Sequence, residues 1–160
     1  MNKYLHIICI AIIFLSMLGV YLFMPYTPKF YNNECEATIN FKIDDDTRNF
    51  EYALFIRMDF TDTGHGYEDM RGVVINNGKR YNVARTINFS FKNNSNSDIY
   101  EVTVDNVKKA GQDNLPNYLV AKHLSYTLPK SFIFLRIAEM NQHMVLVSGT
   151  QGPVFICSLK

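Results

Sequence analysis

The chain has 160 residues, a formal net charge of +1 and three cysteines, with 16 Lys and Arg against 15 Asp and Glu. That length suits one ordinary domain. The balanced charge leaves no basic stripe for nucleic acid, so direct nucleic-acid binding is not expected.

Residues 4–24 read YLHIICIAIIFLSMLGVYLFM, without Lys, Arg, Asp or Glu. As a helix at about 1.5 Å per residue this stretch covers roughly 30 Å, the hydrocarbon thickness of a bilayer. A cleaved signal peptide is the alternative, but it normally has a shorter apolar region and a small-x-small cleavage site. The exit here is LFMPYTPKF, which is bulky and proline-marked. The segment therefore reads as an uncleaved transmembrane helix, with the bilayer as one partner. Lys3 precedes it and Glu34 and Glu36 follow, so the positive-inside rule places residues 1–3 in the cytoplasm. Residues 25–34 would be a linker, and residues 35–160 an exported β domain.

Beyond the linker the apolar period changes from helical to alternating. In CEATINFKI, Ile39, Phe41 and Ile43 share one face and Thr38, Asn40 and Lys42 the other, which describes a half-buried strand. In FEYALFIRMDF the inward stripe is Phe50, Tyr52, Leu54, Ile56, Met58 and Phe60. TDTGHG reads as a turn. Asn77-Gly78 joins two strand-like runs and suits a type I′ hairpin that sets Val74 opposite Tyr81. The second arm carries Tyr81, Val83, Ile87, Phe89 and Phe91 on one face, interrupted by Arg85, and a bend is expected partway along it.

After the polar turn NNSNSD, Tyr100, Val102 and Val104 alternate in a further strand. NLPNYLVAKHLSY is the one helical patch of the domain, with Asn114 as a cap and Pro116 in the first turn. SFIFLRIAEM, HMVLVS and PVFICSL then read as three strands. SFIFLRIA is apolar on both faces and is expected to be buried or covered. The fold class is mainly β: about eight short-connected antiparallel strands and one short helix, forming a barrel or a compact sandwich.

No constellation for catalysis emerges, so the protein does not read as an enzyme, and neither a metal nor a cofactor is expected. His65, Glu68 and Asp69 stand together in TGHGYEDM but match no ligand spacing, and a polar loop is the simpler reading. Asp44, Asp45 and Asp46 lack the glycine and closing glutamate of a calcium loop. Nothing places His123 or His143 beside Cys157, which lies on an apolar strand face unsuited to a reactive thiolate. Asn88 and Asn93 begin glycosylation-like triplets of a kind that occurs often by chance.

The cysteines are more informative. Cys35 and Cys157 are the only two in the exported part, where the compartment is oxidising. One opens the first strand and the other nearly closes the last, and both share parity with apolar neighbours. In an up-and-down sheet of eight strands these positions reach the same rim. If the sheet closes, paired Cα atoms there lie roughly 4.5–5.5 Å apart, which suits a disulfide. Two free buried thiols are the alternative.

The layout is a short N-terminal span followed by a β domain that starts CEATINFKI and ends in an apolar strand. It resembles the FidL-like family of small enterobacterial inner-membrane proteins. The resemblance implies a bacterial inner-membrane location with a periplasmic β domain. It also implies a partner. Such proteins resemble the small subunit of ToxS- and VtrC-type systems, in which a single-pass, membrane-bound transcription regulator pairs with a small membrane protein. In some of these the joined domains form a lipocalin-like barrel that binds bile salts. On that resemblance the stripe from Phe50 to Phe60, with Tyr81, Phe89 and Phe91, would line an apolar cavity, and a solid core is the alternative. Arg85 would meet an acidic ligand headgroup, lie at a bend or face a partner. The functional expectation is an accessory protein that modulates a ToxR-like regulator and senses a small amphipathic ligand. The competing expectation is a periplasmic assembly or stability factor for an envelope structure, without ligand.

Overall fold

Strict alternation along long strands, joined by tight polar turns, builds the architecture. The computed structural model describes residues 2–23, 30–45, 48–61, 63–93, 98–150 and 152–160. A helix, α1 (Asn2–Phe23), is followed by five strands: β1 (Glu34–Asp45), β2 (Arg48–Phe60), β3 (His65–Asn76), β4 (Lys79–Asn93) and β5 (Ile99–Lys109). A short helix α2 (Asn117–His123) and a 3-10 turn (Ser125–Thr127) lead to β6 (Phe132–Glu139), β7 (Met144–Gly149) and β8 (Gly152–Leu159). Each strand pairs antiparallel with the next, and β8 returns to β1, so the eight strands close a barrel rather than a sandwich.

The backbone of α1 spans 22 residues. Its described apolar side chains, among them Ile10, Phe14, Leu15 and Tyr21, are exposed. Ser16 donates to the Ile13 carbonyl at 2.8 Å, satisfying its hydroxyl within the helix. The side chains at 2–5, 9, 22 and 23 lie outside the described set. Counted over the described residues alone, no helix is long and apolar enough to cross a membrane. Met24 and residues 25–29, half of the expected linker, also lie outside the described residues.

The β3–β4 hairpin turns at Asn77 (φ 50°) and Gly78 (φ 76°), with Val74 opposite Tyr81, as the Asn-Gly pair predicts. The β4–β5 ladder shifts register between Asn88 and Phe89, where Asp105 of β5 is the extra residue. Gly72 (φ 154°) stands opposite Leu54, and a Cβ there would lie 2.0 Å from the Ala53 carbonyl oxygen. Only glycine allows β3 to approach β2 this closely.

Leu54, Ile56, Met70, Val74 and Ile87 fill the interior. One end is plugged by aromatic rings. Phe60 has its centroid 5.4 Å from each of Phe30, Phe89 and Phe91. At the other end, by the β1–β2 and β3–β4 turns, α2 buries Leu119 and Val120, and His123 stacks on Phe50 at 3.7 Å.

Two local expectations are corrected. Asn114 does not cap α2, whose N-cap is Pro116; its Oδ1 instead accepts from the Asn82 N–H at 2.7 Å, tying the loop to β4. SFIFLRIA is not buried on both faces: Phe132 is 53 % exposed and Phe134 42 %. The physical reason is a short ladder on either side. β6 pairs with β5 only over Phe132–Arg136 and with β7 only over Arg136–Glu139. Phe132 and Phe134 shelter each other edge-to-face, with centroids 4.9 Å apart.

Candidate functional site

The first and last strands meet over only two register pairs, Cys35 with Leu159 and Glu36 with Ser158. That short contact is heavily tied. Cys35 and Cys157 form a disulfide, with Cα atoms 5.4 Å apart and both residues buried. The bridge runs diagonally, since the register partner of Cys35 is Leu159. Glu36 accepts from Lys160 on one side and Arg57 on the other, and the Lys160 backbone N–H donates to the Glu34 carbonyl at 2.9 Å. The hydrogen bond from Lys160, helped by Arg57, holds the Glu36 carboxyl below its ordinary range.

Past Glu36 the two strands part. Ile39 and Phe41 of β1 and Pro153 and Phe155 of β8 stand on opposite sides of the opening, and all four line one cavity of about 820 Å³. Its inner wall includes Met58, Ile87, Phe89, Val102 and Val104. Of the aromatic and aliphatic set singled out in the sequence, Tyr52, Met58 and Phe89 line this space. Phe50, Leu54, Ile56, Phe60, Tyr81 and Phe91 are buried in the core packing. Tyr52 is half-buried and stacks on Phe41 at 5.1 Å.

Among the described residues one charged side chain lines the cavity, that of Glu68. It stands on β3 between Met58 of β2 and Ile87 of β4. It is 6 % exposed, and its Oε1 has no hydrogen-bond partner in the protein. Burial pushes its carboxyl up from 4.5 to about 7, because an ion deprived of water is disfavoured. Tyr126, on the 3-10 turn, also lines the cavity. Burial pushes its hydroxyl far up, the charge of Glu68 adds to this, and Arg85 offsets it slightly.

Sequence reasoning passed over Glu68 as part of a polar loop. The available signal was parity: Glu68 shares a face with Met70 and Val74. Glycines at 66 and 72 interrupt that face and hide the strand. His65 and Asp69 do not join it. His65 is exposed, and Asp69 accepts from the Thr86 hydroxyl on the outer surface. No group of three or more His, Cys, Asp or Glu among the described residues is arranged to hold a metal ion.

Arg85 lies elsewhere. Its side chain is 1 % exposed and grips the Asp113 side chain, itself 0 % exposed. Nε donates to Oδ2 at 2.9 Å and the terminal nitrogen to Oδ1 at 2.8 Å. Asp113 also accepts from the Ala84 and Leu115 N–H groups. The guanidinium is thus committed to pinning the β5–α2 loop onto β4.

A family model described as "FidL-like putative membrane protein" matches residues 72–157. The match runs from Gly72 in β3 to Cys157 of the disulfide. None of the curated proteins matches the chain. Since the family match takes in more than half of the chain, including most of the cavity wall, the protein belongs to the FidL-like family.

Proposed function

We propose that this is a single-pass accessory protein of the bacterial inner membrane, without enzymatic activity, whose β-barrel binds and modulates a membrane-bound, ToxR-like transcription regulator and takes up a small amphipathic ligand, with bile salts as the reference class. In this reading α1 is the anchor, its N-terminus is cytoplasmic and the barrel is periplasmic. A disulfide between two buried cysteines fits an oxidising compartment.

The observation that carries the reading is the parted β1–β8 boundary above an apolar cavity. Beyond Glu36, among the described residues, each of these strands has a long edge without a ladder to the other. Open strand edges accept a further strand from a partner, and main-chain hydrogen bonds supply the affinity. Phe41, Val154 and Ile156 are exposed along these edges, where a partner would cover them.

Affinity purification of the full chain from membranes tests the partner. A single-pass protein with a cytoplasmic DNA-binding domain should co-purify and raise the barrel's melting temperature by mass action. Recovery of structural envelope components alone would turn the account to an assembly factor.

A further inference from the structure

We infer that the barrel cavity is a receptor site for an apolar molecule bearing a single amine head, and that Glu68 is the residue that reads the head. The inference rests on the ligand-binding half of the function proposed above, and it replaces the bile-salt reference class with an amine-headed one.

The cavity has the size of small-molecule sites, which run from about 300 to 1,000 Å³. Its walls are aliphatic and aromatic on seven of the eight strands, and its lining carries one ionisable carboxyl. Buried acceptors in folded proteins are nearly always hydrogen-bonded, and an unpaired one costs free energy. Glu68 Oε1 is buried without a protein partner, and the Glu68 side chain lines a space that a ligand can enter. Arg85 does not compensate it, because its guanidinium is held by both oxygens of Asp113. A donor-bearing head group arriving from the cavity would satisfy Oε1, and a cationic head would also stabilise the carboxylate where water is scarce. An anionic head, such as the carboxylate of a bile salt, meets like charge there and is the disfavoured case.

Entry fits the same picture. The parted β1–β8 boundary exposes Phe41 and Val154 at the mouth, so an apolar body slides in against side chains of its own kind. The charge of Glu68 also sets a pH dependence. The groups around it are Met58 and Tyr52 from β2, Ile87 from β4, and Tyr126 from the 3-10 turn, which also feels the Asp113-bound Arg85 of β4. Around neutral pH only Glu68 among them changes charge, since both tyrosines are pushed above their ordinary value. Amine binding should therefore tighten from pH 6 to pH 8 as the carboxylate forms.

The test uses three probes with one apolar body: 1-adamantylamine, 1-adamantanol and adamantane-1-carboxylate. Each is titrated calorimetrically into the full chain in lipid nanodiscs, with empty nanodiscs subtracted. At pH 8 the amine should bind at least about tenfold tighter than the carboxylate, with the alcohol between them. Its affinity should fall about tenfold at pH 6. Glu68→Gln should erase the ranking, and an intact Cys35–Cys157 disulfide with unchanged circular dichroism shows that the variant is folded. If all three probes bind without that ranking, or if Glu68→Gln keeps the amine preference, the inference is overturned while the ligand-binding reading stands. If none binds to the folded chain, both fall.

Discussion

Cys35 and Cys157 are separated by 122 residues in sequence and by 5.4 Å between Cα atoms, and their bond lies where the first and last strands briefly pair. Almost the whole barrel is the loop that this bond closes. In the chain-entropy account a loop of that size stabilises by up to about 4–5 kcal/mol. Cys157→Ser should therefore lower the urea midpoint strongly, and the double variant with Cys35→Ser should fall no further than the single. A midpoint unchanged by either substitution, or by reductant, would show that the two-pair ladder and the Glu36–Lys160 contact suffice.

The Arg85–Asp113 pair is fully buried and joins β4 to the loop before α2. Asp113→Asn leaves a buried guanidinium without its counter-charge, and such losses typically cost about 3–5 kcal/mol. The apolar double variant Arg85→Met with Asp113→Leu should recover much of that loss, because no charge remains to be desolvated. Chemical denaturation of the protein, Arg85→Met, Asp113→Leu and their combination completes a four-member cycle that measures the coupling.

Glu68 makes stability depend on pH in a defined direction. Its folded-state value of about 7 lies above the ordinary 4.5, so the folded barrel holds a proton that the unfolded chain releases. Stability therefore falls as pH rises from about 4.5 through 7, and the full penalty, roughly 3 kcal/mol, applies above that. Glu68→Gln should stabilise the protein at pH 8 and leave it little changed near pH 4. Thermal melts across this range would show the two proteins converging at the acid end.

Gly72→Ala should be costly although it adds one carbon. The new Cβ would meet the Ala53 carbonyl oxygen at 2.0 Å, on a backbone whose φ of 154° disfavours side chains. A loss of more than about 2 kcal/mol is expected, read as a lower melting temperature. Alanine at Gly111, where a Cβ meets nothing within 4 Å, serves as the neutral control.

The strands carrying unbroken alternation were legible from the sequence. The stripe from Phe50 to Phe60, the Asn77-Gly78 turn and the Tyr100–Val104 strand all follow from period and turn chemistry, and so did the mainly β class. The cysteine pairing was legible because strand parity and an even strand count together place two distant residues at one rim. The first half of β3 was not, because Gly66 and Gly72 occupy inward positions where a side chain would collide with β2 or with Phe89. That gap concealed Glu68, the most informative residue of the cavity. The exposure of Phe132 and Phe134 was equally hidden. It depends on how far neighbouring ladders extend, which the apolar pattern of β6 alone does not encode.

The central claim is that the parted boundary between β1 and β8 receives a membrane-bound regulator. The most direct measurement places a photo-crosslinking amino acid at Phe41, on the free edge of β1, and at Ile156, on the free edge of β8, in living cells. Tyr118, exposed on α2 beside Tyr81 of β4, is the control position. The account predicts that both edge positions, and not Tyr118, yield one adduct whose partner is identified by mass spectrometry as a single-pass protein with a cytoplasmic DNA-binding domain. Adducts of equal yield at all three positions, or an edge partner lacking such a domain, would contradict it.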